Sequence, residues 1–233
     1  MGKGKLSKFA ENETFSCLLQ PDSNDVLSND NPVKGHWNDE MFENRLGGRQ
    51  APIVVELGCG KGEYTIDLST RRPEFNYIGV DIKGARLWRG AKTATEAKLP
   101  NVAFLRTRIE FINHLFAPDE ISEIWVTFCD PQPKNANKRL TSPIFLDRYR
   151  KFLKKGGIVH LKTDSQQLHE YTLGVIKEQG LELLAATDNL YGAQCQTSGF
   201  IQERPELFQV QTHYEKMFLS EGKPITYLAF RLV

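Results

Sequence analysis

From Ile53 onward the hydrophobic positions switch repeatedly between two periods. The apolar runs "IVVELG", "NYIGVDI", "VAFLRT" and "EIWVTFCD" predict buried strands, and the amphipathic stretches between them, "EYTIDLSTR", "ARLWRGAKTATEAKL" and "IEFINHLF", predict helices. Such alternation predicts an α/β fold: a doubly wound, mostly parallel sheet with right-handed crossovers. A helix follows over "TSPIFLDRYRKFLKKGG", with Ser142 as N-cap, Pro143 in the first turn, apolar Ile144, Phe145, Tyr149, Phe152 and Leu153, and Gly156 past the end. "GIVHLKTD" predicts another buried strand, and "SQQLHEYTLGVIKEQG" a helix closed by Gly180. The final β-rich segments, "LELLAATDNLY" and "ITYLAFRLV", have no helix of crossover length between them. They bring the sheet to seven strands, with an antiparallel strand at the C-terminal end.

Upstream, "HWNDEMFENRLGG" places Trp37, Met41, Phe42 and Leu46 at helical spacing before Gly47 and Gly48. Residues 1–30 are polar and lack sustained periodicity, which predicts a flexible arm before a single domain over residues 31–233. No internal repeat is visible.

Composition narrows the class. No apolar run approaches the roughly 18 residues of a membrane span, and the first residues carry no signal-peptide core, so a soluble, cytosolic protein is expected. Gly2 suggests myristoylation, but Leu6 stands where that pattern needs Ser or Thr. Cys17, Cys59, Cys129 and Cys195 are widely spaced, which predicts reduced structural thiols and no metal site. The formal net charge of +1 excludes a globally basic coat, but not a basic patch.

The first strand delivers Gly58, Gly60 and Gly62 to the start of a helix, where a backbone without Cβ atoms lets a ligand approach. The spacing is G-x-G-x-G, not the G-x-x-G ending of dinucleotide sites, and Glu56 lies inside the strand. A carboxylate repels a pyrophosphate and attracts a cation, which favours S-adenosylmethionine over NAD and argues against a nicotinamide-linked oxidoreductase. Asp81 ends the second strand, where nucleotide folds place a ribose-binding carboxylate; a helix N-cap is the alternative. At the end of the fourth strand, Cys129-Asp130-Pro131-Gln132-Pro133-Lys134 is a loop stiffened by two prolines. From Lys134 to Lys155 eight Lys/Arg residues face one acid, Asp147, which suits phosphate-rich partners. The alternative for Arg148, Arg150, Lys151, Lys154 and Lys155 is a solvated helix face. His160, inside a strand, is expected to be a satisfied core histidine.

Together "VELGCGKG", "GVDI", "FCDPQPK…KRL", "HLKTD" and "QTHYE" resemble the bacterial tRNA (guanine-N7-)-methyltransferases over roughly residues 35–233. The resemblance implies a Rossmann-like methyltransferase domain that uses S-adenosylmethionine and acts on tRNA, as a monomer or homodimer. By position it implies that Glu56 and Asp81, with the glycine loop, hold the methyl donor, and that Asp130 serves donor binding and catalysis. Lys134, Asp164, Thr212, His213, Tyr214 and Glu215 would contact the substrate, with Lys138 and Arg139 in the basic loop beside them. Two departures stand out. Relatives usually read D-P-W-P where this chain has Gln132, and Arg108 aligns where they often carry an Asp near the adenine, with Glu110 a possible substitute. These departures motivate the rival expectation, an RNA-binding module with a vestigial nucleotide pocket.

Guanine N7 has an in-plane lone pair and no proton to lose, so the implied chemistry needs no obligatory general base, and alignment dominates. Asp130 is the candidate for stabilising positive charge as it moves onto the purine. Glu215 and Asp164 are the candidates for accepting hydrogen bonds from guanine N1–H and the exocyclic amine.

Overall fold

The computed structural model describes residues 3–27, 31–192 and 199–232; Cys195 lies outside them. The chain opens with α1 (Lys3–Asn12), β1 (Leu18–Leu19) and α2 (Ser23–Leu27), then a π-helical segment Trp37–Arg45 that buries Trp37, Met41 and Phe42. The alternating core follows: β2 (Ile53–Leu57), α3 (Glu63–Arg71), β3 (Asn76–Asp81), α4 (Gly84–Glu96), β4 (Val102–Arg106), a 3₁₀ turn Ile109–His114 and β5 (Ile121–Thr127). Beyond it come a 3₁₀ turn Ala136–Lys138, α5 (Pro143–Tyr149), β6 (Leu153–Thr163), α6 (Gln166–Glu178) and β7 (Glu182–Thr187). Three short helices, α7 (Gly199–Gln202), α8 (Glu206–Gln209) and α9 (His213–Ser220), lead to β8 (Thr226–Arg231).

The strands form one sheet in the order β1-β4-β3-β2-β5-β6-β8-β7. Neighbours are parallel except β8, which runs against both β6 and β7. Every residue of β2 and β3 is buried, as expected of parallel strands covered on both faces. One face packs Trp37, Phe42, Phe116 and Phe152 into the main core, while Tyr64, Trp125 and Tyr227 fill the other. The order turns back at β2, between β3 and β5, so a crevice opens at the carboxyl ends of β2 and β5.

Three expectations are corrected. Residues 3–27 are not an arm without regular structure. Glu11 accepts hydrogen bonds from Trp88 Nε1 and Lys92 Nζ, both at 2.7 Å, buried Asn12 donates to the Gly84 carbonyl, and Phe104 N donates to the Cys17 carbonyl, adding β1 as an eighth strand. Tertiary partners on α4 and β4 order a segment whose own periodicity is weak. The helix over "TSPIFLDRYRKFLKKGG" stops at Tyr149, because the Phe152 carbonyl already accepts from Ile121 N and draws the chain into β6. Gly156, at φ +73°, sits in a bulge of that strand. "IEFINHLF" winds as a 3₁₀ turn. The stretch before β8 carries only short helices, none of crossover length, as read. Among the described residues no helix is long and apolar enough to cross a membrane.

Candidate active site

At the end of β2, the amides of Gly58 and Cys59 both donate to the Val80 carbonyl, pinning the glycine loop to β3. Gly58 and Gly60 have φ of +76° and +57°, and a Cβ at either would meet nothing within 4 Å, so their backbone faces open space. Gly62 differs: at φ +71°, its Cβ would lie 2.4 Å from Phe104 Cε1, so it serves the packing of α3. Asp81 directs its carboxylate at backbone, and the N-cap position of α4 itself is Lys83. Its Oδ2 accepts from Gly60 N at 3.0 Å and its Oδ1 from Lys83 N at 2.7 Å, so it shapes the loop and also the turn into α4.

Glu56 lies behind this loop and does not line the crevice. It is buried, with one carboxylate oxygen accepting from the amide and hydroxyl of Thr65 and the other from the Thr127 hydroxyl. Burial pushes its carboxyl up to about 7, opposed by these hydrogen bonds and reinforced by the charge of Asp81. Of the two carboxylates read beside the glycine loop, only Asp81 therefore lines the crevice.

The Asp130 loop is built from its own side chains. Asp130 Oδ1 accepts from Gln132 N at 3.0 Å, and Gln132 takes a left-handed φ of +47°. Arg139 is buried, donates from Nε to the Pro131 carbonyl at 3.2 Å and stacks its guanidinium 4.3 Å from the Tyr171 ring centre, so it braces the loop and is not free for a ligand. Lys134 and Lys138 are exposed on the loop surface. Phe128, also left-handed at φ +47°, sets its ring 6.2 Å from Phe218 of α9.

These elements enclose a cavity of about 570 Å³. It brings together Gly58, Asp81, Arg108, Asp130 and Lys138. It also takes in Gln132, marked in the sequence as a departure, and Lys83, Arg86, Ile82 and Phe128, which sequence reasoning passed over. Ile82 is 50% exposed directly after the strand-end carboxylate, and an apolar residue at that spot is the signal that was available. Arg108 Nη2 reaches Glu110 Oε1 at 3.5 Å across the rim.

The "QTHYE" segment forms the first turn of α9. Thr212 caps it by accepting from Glu215 N, and His213 N donates to Glu63 Oε2 at 2.9 Å, which docks the turn beside the glycine loop. Tyr214 is 45% exposed. Glu215 is fully buried: its Oε1 meets Lys162 Nζ and the Tyr191 hydroxyl, each at 2.7 Å. Lys162 also donates to the Leu207 and Val210 carbonyls, and nothing in "HLKTD" had marked it out. Asp164, half-buried, follows β6. Thus Thr212, His213, Tyr214, Glu215 and Asp164 gather at the right end of the sheet but outside the cavity, and Glu215 faces the interior. His160 is a core residue, as read: it stacks 3.9 Å from Trp125, with Nδ1 2.8 Å from the Tyr227 hydroxyl.

The fold also divides the basic stretch. Lys138 lines the crevice and Lys134 is exposed on the same loop, whereas Lys154 and Lys155 open β6 at the opposite end of the sheet.

A family model described as "Putative methyltransferase" matches residues 50–228. A tRNA (guanine-N(7)-)-methyltransferase of Christiangramia forsetii is 48% identical over 99% of this chain and 98% of its own, and that of Bacteroides fragilis is 45% identical over 100% and 87%. Among solved structures, the 16S rRNA methyltransferase KamB superposes with a TM-score of 0.60 at 17% identity, covering 83% of this chain and 93% of that one, which shows a shared fold. With the family model spanning most of the chain and relatives nearly half identical along its whole length, the chain belongs to the tRNA (guanine-N7-)-methyltransferase family.

Proposed function

We propose that this chain methylates N7 of a guanosine in tRNA, with S-adenosylmethionine as donor, in the cytoplasm. The observation that carries the reading is a single cavity at the sheet's switch point, bounded by an open glycine backbone, Asp81 and Asp130 and rimmed by cations. Its volume, the uncovered Gly58 and Gly60 and the carboxylates at its wall fit a cationic nucleoside. When bound, S-adenosylmethionine supplies a methyl group on a positively charged sulfur.

The protein's part is placement. The Gly58 backbone and the Asp81 carboxylate hold the nucleoside end, with Ile82 offering an apolar face. Because N7 has no proton to give up, no residue is asked to act as general base. Asp130, at the mouth, faces the charge that develops on the purine and lowers the barrier if it stands nearer to the ring than to the sulfur. Asp164 is the candidate acceptor for guanine N1–H and its amine. Lys134 and Lys138 attract phosphates.

Incubating unmodified tRNA with labelled donor and mapping the labelled nucleoside tests the reading, and label in 7-methylguanosine is expected. Asp130→Ala should reduce transfer by at least about 100-fold, the scale of losing one electrostatic group at a reacting centre, while the thermal midpoint stays near that of the parent. Undiminished turnover would remove Asp130 from the mechanism.

A further inference from the structure

Lys83 at the N-cap of α4, and Arg86 and Arg89 on the helix, follow at intervals of three residues, and all three are exposed. Three residues advance a helix by about 4.5 Å and turn it by roughly 300°, so these cations form one slowly winding row. The row begins at the cavity, since Lys83 and Arg86 line it. Alongside lies α1, whose Lys5 is exposed and whose Lys8 holds its ammonium 4.5 Å from the ring centre of Trp88 on α4.

Both carboxylates of this surface are directed at one other cation. Glu11 meets Lys92 at 2.7 Å and Glu96 meets it at 3.9 Å, so Lys92 is neutralised. Among the described residues Lys5, Lys8, Lys83, Arg86 and Arg89 form no ion pair. Five unpaired cations thus share one ridge in a chain whose formal net charge is only +1. The ridge is rigidly joined, because Asn12 donates to the Gly84 carbonyl at 3.0 Å and Glu11 accepts from Trp88 Nε1. A helix that merely solvates itself needs no such fastening, and its carboxylates ordinarily alternate with its cations.

We propose that the ridge of α1 and α4 is a docking surface for the phosphate backbone of the tRNA outside the guanosine that is methylated. The inference rests on the functional reading above and adds where the body of the RNA is held. Neutralising phosphates with Lys and Arg releases counterions, so each contact contributes close to one unit of salt dependence.

The test compares the full chain with Lys5→Gln/Lys8→Gln/Arg89→Gln, none of which lies in the cavity, and with Lys151→Gln/Lys154→Gln/Lys155→Gln, the same charge change at the far end of the sheet. Binding of unmodified tRNA is measured across a salt series, with donor affinity and thermal midpoint as checks. For the ridge variant we expect tRNA affinity to fall about tenfold and the log–log salt slope to become shallower by about three, with donor affinity and midpoint unchanged. The far-end variant should bind like the parent. Equal losses in both variants, unchanged binding by the ridge variant, or ridge-dependent binding to phosphatidylglycerol vesicles in place of tRNA would overturn the proposal. Wild-type protein that binds tRNA through the ridge yet transfers no methyl would instead overturn the activity and leave the ridge standing.

Discussion

Glu56 makes a residue-scale prediction whose sign is fixed by burial. Its carboxyl stands at about 7 in the fold against an ordinary 4.5, so the folded chain binds the proton more tightly than the unfolded one. The stabilisation from this group is whole below about pH 4.5 and is lost as pH rises through 7. Glu56→Gln should therefore gain on the parent as pH rises, by up to roughly 3 kcal/mol near pH 8, with the difference vanishing near pH 4.5. Denaturant midpoints across that range check it, and a gap that does not change with pH would refute it. At Gly62 an added Cβ meets Phe104 at a left-handed φ, so Gly62→Ala should cost about 2–4 kcal/mol. The residues of the site were legible because spacing along a strand fixes which positions reach its end: Asp81, Asp130 and the glycines are where the pattern put them. Spacing does not say on which side of a loop a side chain falls, and so Glu56 was read as facing the ligand when two threonines hold it behind.

Among elements, the contact that joins the late helices to the sheet is the Lys162–Glu215 pair, whose two side chains are fully buried. Removing one partner strands the other in the interior, so Lys162→Met should destabilise by about 3–5 kcal/mol, whereas Lys162→Met with Glu215→Leu should recover much of the loss. Chemical denaturation of the three proteins tests this, and a double variant no better than the single would show that the lost bonds to Leu207 and Val210 dominate. The strands and longer helices were readable because each carries its own period. Helices α1 and α7–α9 were not, since segments this short are marginal alone and owe their form to partners far away in sequence. The reach of Lys162 to α9 is of that kind: two residues 53 positions apart, neither in a motif that announces the other.

Across the whole molecule, the sequence displayed one basic stretch from 134 to 155, and the fold divides it between opposite ends while assembling another from α1 and α4. Charge that is contiguous in sequence separates along an eleven-residue strand, and charge that is distant in sequence converges when two helices pack. Methyl transfer at limiting tRNA should accordingly weaken steeply with salt while donor affinity changes little, a contrast that steady-state kinetics at rising ionic strength would measure.

The position of β8 has a consequence for how the molecule comes into being. The strand occupies an interior slot, yet it is synthesised after both of its neighbours. A nascent chain that has already assembled the cavity still presents an unpaired β6 edge, and β7 has nothing to join until residues 226–231 emerge. During that interval the growing polypeptide is exposed to strand-to-strand association with other copies, and ribosomal stalling before position 226 would prolong it.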